Sequence, residues 1–105
     1  MNEVPEIQID EAKKKFDRRD CMFVDIRDPA SYRAAHIPCA VHLHDGNVQQ
    51  FIESADKDRE VIVCCYRGNS SPGAVAYFLE NGFKKIASLS SGFEAWRQVY
   101  EQEAG

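Results

Sequence analysis

One stretch gathers the residue types that could do chemistry: Val61-Ile-Val-Cys-Cys-Tyr-Arg-Gly-Asn-Ser-Ser-Pro-Gly-Ala74. A short apolar run ends at Cys64 and delivers Cys65. Tyr66, Arg67, Gly68, Asn69, Ser70 and Ser71 follow as a tight loop, and Pro72 opens a helix-forming segment. The order reads strand, loop, helix N-terminus. It sets a thiol at a ring of backbone N–H groups, against the positive end of a helix dipole. That environment lowers a thiol pKa and gives a nucleophilic thiolate. Gly68 and Asn69 tolerate the backbone angles of an anion-binding nest. Arg67 adds a fixed positive charge. Ser70 and Ser71 add hydroxyls, and Ser71 is the expected N-cap, with Pro72 at the first helical position. Cys64 and Cys65 are neighbours in a strand, so their side chains should point to opposite faces, one buried and one reactive, rather than form a disulfide.

Two chemistries use such a loop. A phosphatase or arsenate reductase needs an arginine at the loop's end to clamp a phosphate-sized dianion bidentately. Ser71 holds that position and Arg67 comes too early, so phosphate-ester hydrolysis is disfavoured. A smaller cradle suits a smaller anion, such as a single sulfur atom carried on the cysteine. The competing reading is a structural cysteine at a strand end. The strand–Cys–Gly-loop–helix context favours the thiolate.

The elements that must position this loop follow from apolar patterning. Glu6 to Ile9 reads as a short strand, and Asp10 as the N-cap of a helix carrying Ala12 and Phe16 through about Arg19. Cys21 to Ile26 is an apolar run of strand length. Asp28 caps a short helix with Pro29 at its first position, running to about Ala35. His36-Ile37-Pro38 is extended, because the residue before proline avoids helix. Val41 to His44 reads as a short strand, and Asn47 caps a helix containing Val48, Phe51 and Ile52. After the central stretch, the helix carrying Val75, Phe78 and Leu79 stops at Asn81-Gly82. Lys85 to Leu89 is the next strand, and Phe93 to about Glu103 the last helix. Phe93, Trp96 and Tyr100 form its core stripe. Strands alternating with helices predict an α/β fold with a mostly parallel central sheet covered by helices on both faces. Ligands bind outside the carboxyl ends of strands in such sheets, where the Cys65 loop falls.

The remaining composition bounds the partners. The chain has 105 residues, 44% of them hydrophobic, and a net charge of −4, so one domain spanning residues 1–105 is expected, with no basic stripe for nucleic acid. The Met1–Ile7 start shows no signal-peptide pattern and no apolar run is long enough to span a membrane, so a cytoplasmic protein is expected. None of the four cysteines forms a C-x-x-C pair, and Cys21, Cys39 and Cys64 read as small buried hydrophobes. Asp25, Arg27 and Asp28 read as a salt-bridging and capping cluster. His42 and His44 lack a third ligand at suitable spacing, so no metal is expected.

The chain resembles a rhodanese, a sulfurtransferase that works through a cysteine persulfide, and most closely the single-domain thiosulfate sulfurtransferases. The loop Cys65-Tyr-Arg-Gly-Asn-Ser-Ser71 carries the resemblance, with Val24-Asp-Ile-Arg-Asp-Pro29, Tyr32-x-x-x-His36-Ile-Pro-Cys-Ala40 and Gly92-Phe-Glu-Ala-Trp96 in the same order. Cys39 and Ser91 stand where the family usually has glycine, and Ser70 where it often has arginine or threonine. The resemblance implies a rhodanese-like fold with Cys65 as the catalytic nucleophile. The loop N–H groups from about Tyr66 to Ser70 would hold the persulfide, Arg67 would attract thiosulfate, and His36 would be structural. It implies no metal or organic cofactor. The partners it implies are thiosulfate, a small thiophilic acceptor such as cyanide or a thiol, and thioredoxin or another dithiol protein.

Overall fold

The computed structural model describes residues 4–105. Strands and helices alternate along the chain: β1 (Glu6–Ile7), α1 (Ile9–Arg18), β2 (Cys21–Asp25), α2 (Pro29–Ala34), β3 (Val41–His42), α3 (Val48–Ser54), β4 (Glu60–Cys64), α4 (Ser71–Glu80), β5 (Ile86–Leu89) and α5 (Gly92–Val99). All five strands join one parallel sheet in the order β1-β5-β4-β2-β3. The edge strands β1 and β3 are only two residues each, and β3 covers only the Val24–Asp25 end of β2.

Side-chain alternation splits the core into two layers. On β4, Ile62 and Cys64 face one layer while Val61 and Val63 face the other. The first layer holds Ala12, Phe23, Leu89 and Trp96, and Phe16 of α1 meets the Trp96 ring edge-on at 5.5 Å. The second holds Ile52, Val75, Phe78 and Phe83 under α3 and α4. Burying each fully enclosed aliphatic side chain contributes roughly 1.5–3 kcal/mol, so these layers rather than helix propensity fix the elements. Among the described residues no helix is long and apolar enough to cross a membrane.

Several boundaries differ from the sequence reading. β1 ends at Ile7, and Gln8 rather than Asp10 precedes the first helical turn, its carbonyl accepting from Ala12 N. β2 stops at Asp25 and β3 at His42. Helix α5 ends at Val99, and Tyr100 turns out into extended backbone. The cause is non-local: Glu103 pairs antiparallel with His36, exchanging N–H···O bonds of 2.9 Å each way. Cys39, expected inside, is exposed, because its backbone sits at φ 68° and turns the side chain outward.

Candidate active site

β4 lies between β5 and β2, so its carboxyl end is walled by both neighbours. Cys65 follows it directly and is buried, at 2% exposure. Its Sγ accepts backbone N–H groups from Gly68 at 3.2 Å and Ser71 at 3.3 Å, and lies 3.2 Å from Ser71 Oγ. Burial alone would raise this thiol's pKa. The Ser71 hydroxyl and the backbone N–H groups of Ser71, Ser70 and Gly68 outweigh it, and the Cys65 pKa falls below its ordinary value. Cys64 behaves in the opposite way. It is enclosed in the first core layer, its S–H directed at the Cys65 carbonyl, and burial pushes its pKa well up.

The start of α4 corrects the capping expectation. Ser70 is the N-cap, Ser71 is the first helical residue and Pro72 the second. The Ser71 hydroxyl does not cap the helix, because it faces Cys65 and makes a 2.6 Å hydrogen bond to Ser88 Oγ. The cysteine sulfur takes over as cap by accepting the orphan Ser71 N–H. A thiolate there also meets the positive end of the helix dipole.

Two other elements hold the loop. Phe93 N and Glu94 N, at the start of α5, donate to Cys65 O and Tyr66 O at 2.8 and 2.9 Å. This close docking requires Gly92: a Cβ there would lie 2.5 Å from Cys65 O and 2.6 Å from Tyr66 O. Ser91 and Cys39, in the two family glycine positions, both occupy the left-handed region, at φ 64° and 68°. From β2 comes the buried Asp25–Arg27 pair. Asp25 accepts from Arg27 N and Nε through Oδ1 and from Nη2 through Oδ2, and Nη2 also reaches Ala35 O at 2.7 Å. The guanidinium lies 4.3 Å from the Phe93 ring centroid and 5.7 Å from that of Tyr66. Asp28 caps α2, with Pro29 at its first position, and accepts from the Ser31 hydroxyl at 2.8 Å. The Ser31 oxygen is therefore left to accept from Tyr66 OH, 3.0 Å away.

The structure thus brings Cys65, Gly68 and Ser71 together around one sulfur. Tyr66, Arg67, Asn69 and Ser70 form the exposed outer rim. Arg67 is close enough to Glu94 to lower that carboxyl's pKa, although Arg97 has the larger effect. His36 is buried with Nδ1 2.7 Å from Tyr32 O, a structural position. His42 Nε2 lies 2.7 Å from Arg27 O. Ser88, Ser31 and the clamp by Phe93 and Glu94 were not singled out from the sequence. For Ser88 the signal was there, a hydroxyl inside a buried apolar strand.

The rhodanese-like domain family matches residues 8–99, and the chain belongs to it. Such domains are often sulfurtransferases, and membership supports a sulfurtransferase-type or related function. The fold agrees with solved structures. A rhodanese-related protein from Thermoplasma volcanium has 18% identity and a TM-score of 0.84, covering 96% of this chain and 99% of that one. A rhodanese-like domain protein from Staphylococcus aureus has 24% identity and a TM-score of 0.83, covering 97% and 99%. A Rhodopseudomonas palustris protein of unknown function, described as a possible tyrosine phosphatase, has 25% identity and a TM-score of 0.79, covering 91% and 81%.

Proposed function

We propose that this chain is a thiosulfate sulfurtransferase acting through a persulfide on Cys65. One observation carries the reading: the Cys65 sulfur is met by two backbone N–H groups and one hydroxyl, with no arginine at the end of the loop. The thiolate attacks the outer sulfur of thiosulfate. A new S–S bond forms, the old one breaks, and its electron pair leaves with sulfite. Cys65 then carries an anionic terminal sulfur, held by loop N–H groups from Tyr66 to Ser70. Cyanide, a small thiol or a dithiol protein such as thioredoxin attacks that sulfur and restores the thiolate. This is covalent catalysis in two halves, so ping-pong kinetics are expected. Neither half calls for a metal or an organic cofactor. Arg67 attracts the thiosulfate dianion. A reducing compartment such as the cytoplasm suits the free thiol.

The phosphatase reading meets Ser71 where a dianion clamp would stand, and its hydroxyl is committed to Cys65 and Ser88. The deciding experiment is intact mass after brief exposure to thiosulfate without reductant. A gain of roughly 32 Da on Cys65, one persulfide sulfur, that cyanide removes as thiocyanate is the expected result. Cys65→Ser abolishes it and Cys64→Ser keeps it. Loss in the Cys64 variant alone, or turnover of an aryl phosphate, overturns the assignment.

A further inference from the structure

A second concavity lies at the other end of the sheet. β3 pairs with β2 only through Val24 and Asp25, although β2 begins at Cys21. The left-handed turn at Cys39 brings the chain into β3 late, so the outer side of Cys21–Phe23 has no neighbouring strand. A cleft of about 730 Å³ fills that gap, between β2, the Pro38–Val41 segment and α1. Cys21 is level with Glu60 and Asp25 with Cys64, so the cleft lies at the amino end of β2 and the Cys65 loop at the carboxyl end. Four residues of strand, about 13 Å, separate the two levels.

The cleft has an apolar floor and a charged rim. Phe16, Met22, Phe23 and Val41 supply apolar surface, and Val41 is 38% exposed. Cys21 adds to the floor as a neutral thiol: burial, with Glu60 and Asp20 nearby, pushes its pKa up to about 11. At one side Lys13 is held by Asp17 and Glu101. Arg19 and Arg59 also line the cleft, and among the described residues neither forms an ion pair. Counting Lys13, Arg19 and Arg59 against Asp17 and Glu101 leaves the lining one positive charge in excess. The volume falls in the ordinary range for small-molecule sites. A guanidinium group presents donors matched to a planar or tetrahedral oxyanion.

We propose that this cleft binds a small organic monoanion with an apolar body, an aromatic or branched aliphatic carboxylate or sulfonate. Its acid group sits on Arg19 and Arg59 and its body on Phe16, Met22 and Val41. The site is separate from the sulfur chemistry and does not need Cys65.

The test uses anilinonaphthalene sulfonate, an apolar-bodied monoanion, titrated into the folded full chain. The expected result is saturable fluorescence with one probe per chain. Arg19→Gln and Arg59→Gln, both at exposed residues, weaken it by about two- to five-fold each, the scale of an exposed ion pair. Cys39 lies on the cleft wall, so saturating probe slows its alkylation while the rate at Cys65 stays unchanged. Uncharged phenylnaphthylamine binds more weakly and is indifferent to both arginine changes. The proposal is overturned by no saturable binding, by binding that ignores both arginines, or by a Cys39 rate that the probe does not alter.

Discussion

Replacing Ser71 by alanine tests the source of the Cys65 thiolate. The change removes the hydroxyl 3.2 Å from Sγ and leaves the Ser71 N–H in place, so the helix cap survives. A hydrogen bond to a charged group is worth about 1.5–3 kcal/mol. At 1.36 kcal/mol per pKa unit, losing it cuts the thiolate fraction at low pH by about 12- to 150-fold. The more basic thiolate is also the better nucleophile, which returns a little under half of that effect on a logarithmic scale. Iodoacetamide alkylation of Cys65 should therefore slow roughly four- to fifteen-fold well below the midpoint and quicken above it. The same change takes from the buried Ser88 hydroxyl its hydrogen bond to Ser71, at a stability cost of about 1–3 kcal/mol. Ser71→Ala with Ser88→Ala should recover much of that stability while the alkylation profile stays displaced. Alkylation across pH, followed at Cys65 by peptide mass, is the assay. A Ser71→Ala profile that overlays the parent's would refute the assignment of the low pKa to this hydroxyl.

The other predictions concern the loop's supports and charge. Gly92→Ala places a Cβ against backbone at Cys65 and Tyr66, and should cost about 2–4 kcal/mol in denaturant unfolding and abolish persulfide formation; parent-like stability would deny the close docking. Cys39→Gly and Ser91→Gly relieve left-handed strain of about 1–2 kcal/mol, partly offset by glycine's unfolded-state entropy, so each should gain about 0.5 kcal/mol. A lower melting temperature in both would contradict that. Arg67→Ala should raise the KM for thiosulfate about two- to five-fold with kcat nearly unchanged, and Glu94→Gln should lower it, because Glu94 offsets the Arg67 charge. Between the lowered folded pKa of Cys65 and its higher unfolded value, the native chain has released a proton that the unfolded chain still holds. Stability conferred by this group therefore rises with pH across that window and is lost as pH falls through the folded pKa. Cys65→Ser should remove this part of the pH dependence of the urea midpoint, while the contributions of Cys21 and Cys64 remain in both chains.

The loop was legible because its signals are local. An apolar run ending in a cysteine, then Gly68, Asn69 and Pro72, reads as strand, turn and helix start from the chain alone. What failed was anything in which one group could serve two partners. A serine before proline caps a helix in isolation, but Ser71 spends its hydroxyl on the sulfur and on Ser88, and only the packed structure decides between those uses. The end of α5 was misplaced for a similar reason, since Tyr100 has no local cause to leave the helix until Glu103 finds His36. Cys39 looked apolar enough for the core, yet a left-handed backbone turns it outward whatever its hydrophobicity. The distant supports share a topological cause. In the order β1-β5-β4-β2-β3, the strand that delivers Cys65 is flanked by β5 and β2. All strands run parallel, so the segments leaving β5 and β2 emerge beside the cysteine loop. Ser88, Gly92 and Phe93 arrive from one side, and Asp25, Arg27 and Ser31 from the other. Local sequence sets a thiol at a helix start among the loop groups that lower its pKa, and strand order determines which groups lock that loop and hold the Ser71 hydroxyl.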